Sequence, residues 1–178
     1  PCTGSVFVTQ VGTGEVLASI TYPSYDNNEL VNTFNNAYYN DLLQDGNTPL
    51  VNRPLKQKKA SGSTFKMITA LAGLETGTIT PSTTIVDKGL FKDAGVPYAR
   101  CWIYSNTGGT HGPVNVSHAL EVSCNYFFYE LGYRLGSTAN GNDSNKAITT
   151  LNEYMAAFGL NDYTGVELDE YGPTMASP

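Results

Sequence analysis

The sequence predicts an α+β domain, on three observations. A β-branched hairpin pattern opens the chain, amphipathic helical stretches begin at residue 63, and the segments between are punctuated by Gly, Pro, Asn and Asp. Residues 4–11 alternate loosely, Gly12-Thr13-Gly14 supplies a turn, and residues 15–21 resume the strand pattern, which predicts a β-hairpin. Tyr22-Pro23-Ser24-Tyr25-Asp26-Asn27-Asn28 ends it, and the stretch to residue 59 is predicted as loop with one or two short helices. Phe65, Met67, Ile68, Leu71, Ala72 and Leu74 then recur at near 3.6 spacing, and Gly77 sits where a C-terminal cap is expected. Residues 79–113 are predicted as an irregular but packed surface excursion.

The helical pattern returns at Asn115, with Ser117 as the expected cap and Val116, Ala119, Leu120 and Val122 on the apolar side. Ser123-Cys124-Asn125 interrupts it before Tyr126, Phe127, Phe128, Leu131 and Leu135 continue to Gly136. Two readings stand: a helix-turn-helix corner, or one continuous helix in which Ser123 bonds a preceding carbonyl. Side chains two apart point to nearly opposite sides of a helix, so Ser123 and Asn125 act together only in the first. A Ser, Asn, Gly and Asp loop follows. A helix is then predicted over 147–158, with Ile148, Leu151, Tyr154, Met155 and Phe158 as its buried stripe and Gly159 as its end. Residues 164–168 read as a short strand.

The chain of 178 residues, with 40% hydrophobic content, suits one domain over residues 1–178. A net charge of −6 speaks against nucleic acid as a partner. Lys56, Lys58 and Lys59 form the one basic cluster and read as a solvated loop. There is no span-length apolar stretch and no signal-peptide pattern, so an anchor, if the protein works outside the cytoplasm, lies elsewhere. The beginning at Pro1-Cys2 and the ending at Ser177-Pro178 read as cuts in a longer chain.

Chemistry concentrates at Gly62-Ser63-Thr64-Phe65-Lys66. Residues three apart are neighbours on a helix face, so the Ser63 hydroxyl and the Lys66 ammonium are placed to meet. A structural helix start would take Ser63 or Thr64 as N-cap, but it would favour Glu or Gln at position 66, because a cation there faces the positive end of the helix dipole. Such a lysine loses pKa and becomes the amine that deprotonates a serine, while the N-terminal N–H groups face a developing oxyanion. Asp143, Asp162, Asp169 and Glu170 are the carboxylates that could supply an acid, and loop carboxylates are usually solvated. Cys101, His111, Cys124 and Asp87 are four candidate metal ligands. Their spacing matches no zinc-finger signature, and a Cys101–Cys124 disulfide or two buried free thiols are the rival readings.

Ser63-Thr64-Phe65-Lys66 together with Ser123-Cys124-Asn125 resembles the active-site signature of the penicillin-binding proteins. The opening hairpin, Asn52-Arg53-Pro54-Leu55 and residues 62–77 look like the approach to that family's nucleophile and its helix. Arg100-Cys101-Trp102, Gly108-Gly109-Thr110-His111-Gly112 and residues 121–132 are similar to elongation-specific class B members. The resemblance implies the transpeptidase and serine β-lactamase-like fold, an antiparallel sheet plus an all-helical subdomain, here incomplete on its C-terminal side. It implies that Ser63 attacks the D-alanyl-D-alanine carbonyl of a peptidoglycan stem peptide, that Lys66 is the base, that Ser123 relays protons and that Asn125 bonds the substrate amide. It further implies acylation of Ser63 by β-lactams, no catalytic cofactor, and a structural zinc beside the Ser123 loop with His and Cys at positions similar to His111 and Cys124, which favours the metal reading of Asp87, Cys101, His111 and Cys124 and would steady that loop. The implied setting is the outer face of a bacterial membrane, within cell-elongation machinery that includes a membrane glycosyltransferase.

Two departures qualify this expectation. The family's Lys-Thr-Gly is absent, since Lys146 is the one lysine after Asn125 and Ala147 follows it; the chain alone is therefore expected to be inactive or nearly so. Ser61 also stands where many relatives carry Pro. The alternatives are a D,D-carboxypeptidase, a serine β-lactamase, a β-lactam sensor and a non-catalytic cell-wall scaffold.

Overall fold

A computed structural model describes residues 2–177, so the two terminal prolines, where the sequence reads as cut, lie outside the described residues. The chain divides into two compact units, one holding the residues up to Lys59 together with Tyr163–Gly172, the other holding Ala60–Asp162 and the described residues from Pro173 on.

In the first unit β1 (Gly4–Thr9) pairs antiparallel with β2 (Val16–Tyr22), from Gly4 opposite Tyr22 to Thr9 opposite Val16, with a register shift after Val8. The predicted turn closes the hairpin: the Gln10 N–H bonds the Glu15 carbonyl, and Gly12 and Gly14 take the positive φ the reversal requires. Three short helices follow, α1 (Asn28–Val31), α2 (Asn36–Gln44) and α3 (Arg53–Lys56), one more than the sequence predicts. Arg53 is buried and ties this loop to the hairpin. Its guanidinium donates to the carbonyls of Tyr22, Asn47 and Thr48, and its N–H to Thr21 Oγ1. Residues 164–168 form no strand; the Thr164 N–H and hydroxyl instead bond the Glu170 carboxylate, which turns the chain away from extended pairing.

The second unit starts with a 3₁₀ turn, Gly62–Phe65, that runs directly into α4 (Lys66–Glu75). Gly77, at φ +68°, ends the helix with its N–H on the Leu74 carbonyl. The stretch expected to be irregular carries short strands: β3 (Ile85–Asp87), then β4 (Leu90–Phe91) paired with β5 (Ala99–Arg100). α5 (Trp102–Thr107) follows, and β6 (Gly112–Val114) returns to pair with β3. Strands of two and three residues are too short to show an alternating pattern, which is why the sequence hides them.

Next come α6 (Val116–Glu121) and α7 (Asn125–Leu135), broken at Ser123, so the corner is the correct reading. Asn115, rather than Ser117, caps α6, accepting the His118 N–H on its side-chain oxygen; Ser117 lies inside the helix. A small ribbon of β7 (Ser137–Thr138) and β8 (Gly141–Asn142) leads into α8 (Ser144–Ala157), which Asp143 caps. This cap starts the helix three residues earlier than the apolar stripe predicts, and Phe158, expected in the stripe, is exposed. Ile148, Leu151, Tyr154 and Met155 are half-buried.

The core of this unit is Phe91, Val114, Cys101, Cys124, Phe127 and Leu131, all essentially removed from solvent. The aromatic side chains cluster around Phe91, whose ring meets Tyr126 at 5.6 Å and Tyr133 at 5.8 Å, both edge-on. α4 and α7 cross at Gly73, where an added Cβ would lie 2.7 Å from Leu131 Cδ1. Glycine is needed there for contact and not for conformation, and the close crossing brings the start of α4 against the start of α7.

Candidate active site

The residues at that junction come from two corners. The 3₁₀ turn leaves Ser63 exposed, and Lys66, three residues on, opens α4 half-buried. The opposite corner is built by the end of α6. The Ser123 N–H bonds the Leu120 carbonyl at 3.1 Å and the Cys124 N–H bonds the Ala119 carbonyl at 2.8 Å. This pair is a Schellman closure, whose left-handed position normally falls to glycine. Here Ser123 holds it, at φ +50°. A non-glycine residue in that region costs about 1 kcal/mol or more, so the surrounding structure must maintain it.

The strained residue is the one that Lys66 contacts most. Lys66 Nζ donates to the Ser123 carbonyl and to Ser123 Oγ, both at 2.8 Å, and to Asn125 Oδ1 at 2.6 Å. Ser123 Oγ in turn donates to Ser63 Oγ at 3.1 Å. The four residues predicted from sequence, Ser63, Lys66, Ser123 and Asn125, thus form one continuous hydrogen-bonded chain, in which Ser123 stands between Lys66 and Ser63. Desolvation lowers the Lys66 pKa from its ordinary 10.5, partly offset by the neighbouring Cys101 and Cys124 sulfurs, which favour the cation. The Phe128 ring lies 5.5 Å from the ammonium and keeps that side of it dry.

The chain faces a cleft of about 490 Å³ lined by Gly62, Ser63, Phe65, Asn125, Phe128 and others. A larger apolar hollow of about 690 Å³ lies beside α7 and α8 and contains none of the four residues, so size alone does not mark the site. Asp143, Asp162, Asp169 and Glu170 do not line the cleft. Asp143 is a helix cap, while Asp169 pairs with Lys56 and Glu170 with Thr164. Lys56 and Lys58 lie over the Tyr171 ring, at 4.7 and 5.9 Å.

Directly beneath Ser123 lies the second predicted group. One ligand atom from each of Asp87, Cys101, His111 and Cys124 falls within 4.8 Å of the others. His111 Nδ1 is 2.8 Å from Asp87 Oδ2 and 3.5 Å from Cys101 Sγ; Cys124 Sγ is 3.9 Å from Cys101 Sγ and 3.7 Å from Asp87 Oδ2. Both cysteines are free and buried. Burial by itself would raise the Asp87 pKa, but the backbone N–H groups of His111 and Gly89 and the imidazole outweigh it and hold the carboxyl below its usual range. Burial pushes the Cys124 thiol up to about 12. Four donors of zinc type converge here; the separations of 3.5, 3.7 and 3.9 Å lie close to the edges, roughly 3.3–3.8 Å, of a tetrahedron with bonds of about 2.0–2.3 Å, while the histidine–carboxylate separation is shorter. The donor set fits a structural zinc with no position left open for chemistry.

Sequence reasoning missed one residue at this junction. Trp102 Nε1 donates to the Val122 carbonyl at 3.1 Å, immediately before Ser123, and its ring meets His111 edge-on at 5.5 Å. Nothing in a lone tryptophan following Cys101 signals such a contact.

Comparison with known proteins agrees with the geometry. The penicillin binding protein transpeptidase domain matches residues 4–176. The peptidoglycan D,D-transpeptidase MrdA of Escherichia coli K12 is 38% identical over 166 residues, which cover 93% of this chain and 24% of that protein. The chain thus spans about a quarter of the length of this curated relative. Among solved structures, penicillin-binding protein A of M. tuberculosis in a penicillin G acyl-enzyme complex superposes with a TM-score of 0.79 at 27% identity, over 97% of this chain and 38% of that one. The Helicobacter pylori penicillin-binding protein PBP2, in a complex with MreC, superposes with a TM-score of 0.76 at 27% identity, over 95% of this chain and 29% of that one. With the match extending over nearly every residue, the chain belongs to the penicillin-binding protein transpeptidase domain family.

Proposed function

We propose that this chain carries the nucleophile and proton relay of a serine-type peptidoglycan D,D-transpeptidase. The observation that carries the reading is the continuous path from Ser63 Oγ through Ser123 Oγ to Lys66 Nζ, at 3.1 and 2.8 Å. With Lys66 neutral, the Ser63 proton passes to Ser123 Oγ as the Ser123 proton passes to Lys66, and Ser63 Oγ bonds the carbonyl carbon of the penultimate D-alanine. Collapse of the tetrahedral intermediate breaks the C–N bond, and the departing D-alanine amine takes a proton back through the same path. The amine of a second stem peptide then attacks the ester, loses its proton along the relay and restores Ser63. Asn125 both accepts from Lys66 and faces the cleft, so it is placed to bond the substrate amide. In a β-lactam the bond that breaks lies in a ring, the leaving amine stays tethered, and the ester persists. The acyl-enzyme structure of penicillin-binding protein A supports this part of the reading.

Asp87, Cys101, His111 and Cys124 would hold a structural zinc whose task is to fix the Cys124 side of the corner, and it supplies no step of the reaction. The buried His111 Nε2 has no hydrogen-bond partner among the described residues, so the polar contacts of the ring are all made through Nδ1. The protein's setting is the cell wall, as for MrdA, with peptidoglycan stem peptides and β-lactams as ligands. On this reading its partners are cell-elongation proteins, with the PBP2–MreC complex as precedent, and a membrane glycosyltransferase, which rests on the family resemblance alone. Membrane attachment lies outside the described helices, none of which is long and apolar enough to cross a bilayer. The sequence contains no Lys-Thr-Gly, so the chain taken alone is expected to turn over stem peptides slowly or not at all.

The test is fluorescent penicillin on the full-length protein. Stable labelling that disappears in Ser63→Ala supports the reading, rapid hydrolysis of the probe points to a β-lactamase, and an absence of labelling sinks it in favour of a scaffold. Stem-peptide crosslinking separates a transpeptidase from a sensor. Elemental analysis of protein purified without chelator should find one zinc per chain; a Cys101–Cys124 disulfide with no metal would refute the zinc assignment.

A further inference from the structure

Ser123 is gripped from both sides by two consecutive residues of another segment. Cys101 Sγ lies 3.9 Å from the sulfur of Cys124, the residue after Ser123, and Trp102 Nε1 donates at 3.1 Å to the carbonyl of Val122, the residue before it. The two bonds of the Schellman closure use the carbonyls of Ala119 and Leu120, so the indole engages a carbonyl that the helix end leaves over. The Val122 carbonyl and the Ser123 N–H belong to one rigid peptide unit. Holding that carbonyl in direction therefore fixes the plane from which the unusual Ser123 φ of +50° is set. Both Ser123 groups that receive Lys66, its carbonyl and its hydroxyl, swing with that dihedral. Trp102 is 42% exposed, yet its indole N–H is bonded to the Val122 carbonyl while its ring rests against His111. An exposed aromatic side chain with its polar atom turned into the protein indicates that the N–H, more than the ring's burial, is what the site uses.

We propose that Trp102 is a positioning residue for acyl transfer, holding the Val122–Ser123 peptide so that Ser123 presents its carbonyl and hydroxyl to Lys66. The inference rests on the acyl-transfer reading above. It is tested in the full-length protein by replacing Trp102 with 3-benzothienylalanine, which keeps the ring shape and exchanges the N–H for sulfur, beside the simpler Trp102→Phe. Fluorescent penicillin then gives the encounter dissociation constant and the acylation rate constant separately, with melting temperature and labelled fraction at saturation as controls. One lost hydrogen bond to a reacting assembly should lower the acylation rate constant about three- to tenfold, with the encounter constant within twofold. A benzothienyl variant whose acylation rate constant equals that of wild type overturns the proposal. So does one that loses only melting temperature or labelled fraction, since that pattern is a purely structural role. If the wild-type protein itself fails to label, the acyl-transfer reading falls and this inference with it; if wild type labels and the variant matches it, Trp102 alone is refuted.

Discussion

The two corners of the site do the same work of aiming a side chain, but they are built in different ways. The Ser63 corner is local: Lys66 lies three positions after Ser63, and a 3₁₀ turn leading into α4 puts them on one face through backbone bonds alone. The Ser123 corner is assembled from afar. It needs the left-handed closure of α6, the Cys101 and His111 cluster under Cys124, and the Trp102 bond on Val122. A local corner tolerates surface change and fails only when its own residues change, whereas an assembled one fails through any of its supports. The strain at Ser123 is affordable because several independent contacts maintain it.

The largest effect should come from breaking the local corner. Lys66→Met should lower the acylation rate constant by about 10³-fold or more, as removal of a combined base and relay does, measured by stopped-flow labelling. In the wild-type protein the rate should fall as pH drops, with an apparent pKa below the ordinary 10.5, because burial favours the neutral amine. The same shift affects stability with a definite sign. Between the lowered pKa and 10.5 the unfolded chain binds the proton more tightly, so stability rises with pH through that window. A rate that is flat with pH, or one that tracks an unshifted lysine, would remove Lys66 from the base role.

The assembled corner is tested by paired substitutions at Ser123. Ser123→Ala and Ser123→Gly both remove the relay hydroxyl and should slow acylation about 10²-fold. They should differ in stability, with Gly the more stable by about 1 kcal/mol, since only Gly takes the left-handed position without strain. Equal melting temperatures would show that the corner relaxes when the hydroxyl is gone, and that the strain belongs to the bond with Lys66.

The smallest effect should come from separating the corners without altering either. Gly73→Ala puts a Cβ 2.7 Å from Leu131 Cδ1 at the crossing of α4 and α7. It should cost about 1–3 kcal/mol in chemical denaturation, as overpacking does, with a severalfold loss of acylation rate as Lys66 moves from Ser123. Full acylation in a destabilised Gly73→Ala protein would mean that the two corners hold their register independently of that crossing.

Much of the first corner was legible beforehand. The apolar spacing of Phe65, Ile68, Leu71 and Ala72 announces a helix, and a cation at its start is an anomaly that needs a chemical reason. At the second corner the interruption at Ser123-Cys124-Asn125 was visible, but not which of two backbone paths it takes. A Schellman closure on serine violates the glycine preference that makes such closures readable. The strands β3 to β6 and the early start of α8 were hidden for a plainer reason, being set by pairing partners and by the Asp143 cap and not by any repeating pattern.

By itself the sequence determined the opening hairpin, the helix that follows Ser63 and the placing of Ser63 and Lys66 in one turn, because each depends on residues a few positions apart, where backbone geometry dictates what lies beside what. Only the tertiary structure decided that Lys66 contacts Ser123 across 57 residues and that Trp102 meets Val122 across 20. Those meetings follow from the close crossing at Gly73 and the burial of Cys101 and Cys124 in one core, and hydrophobic burial is non-directional: it draws apolar faces together without naming in the sequence which polar atoms will end up side by side.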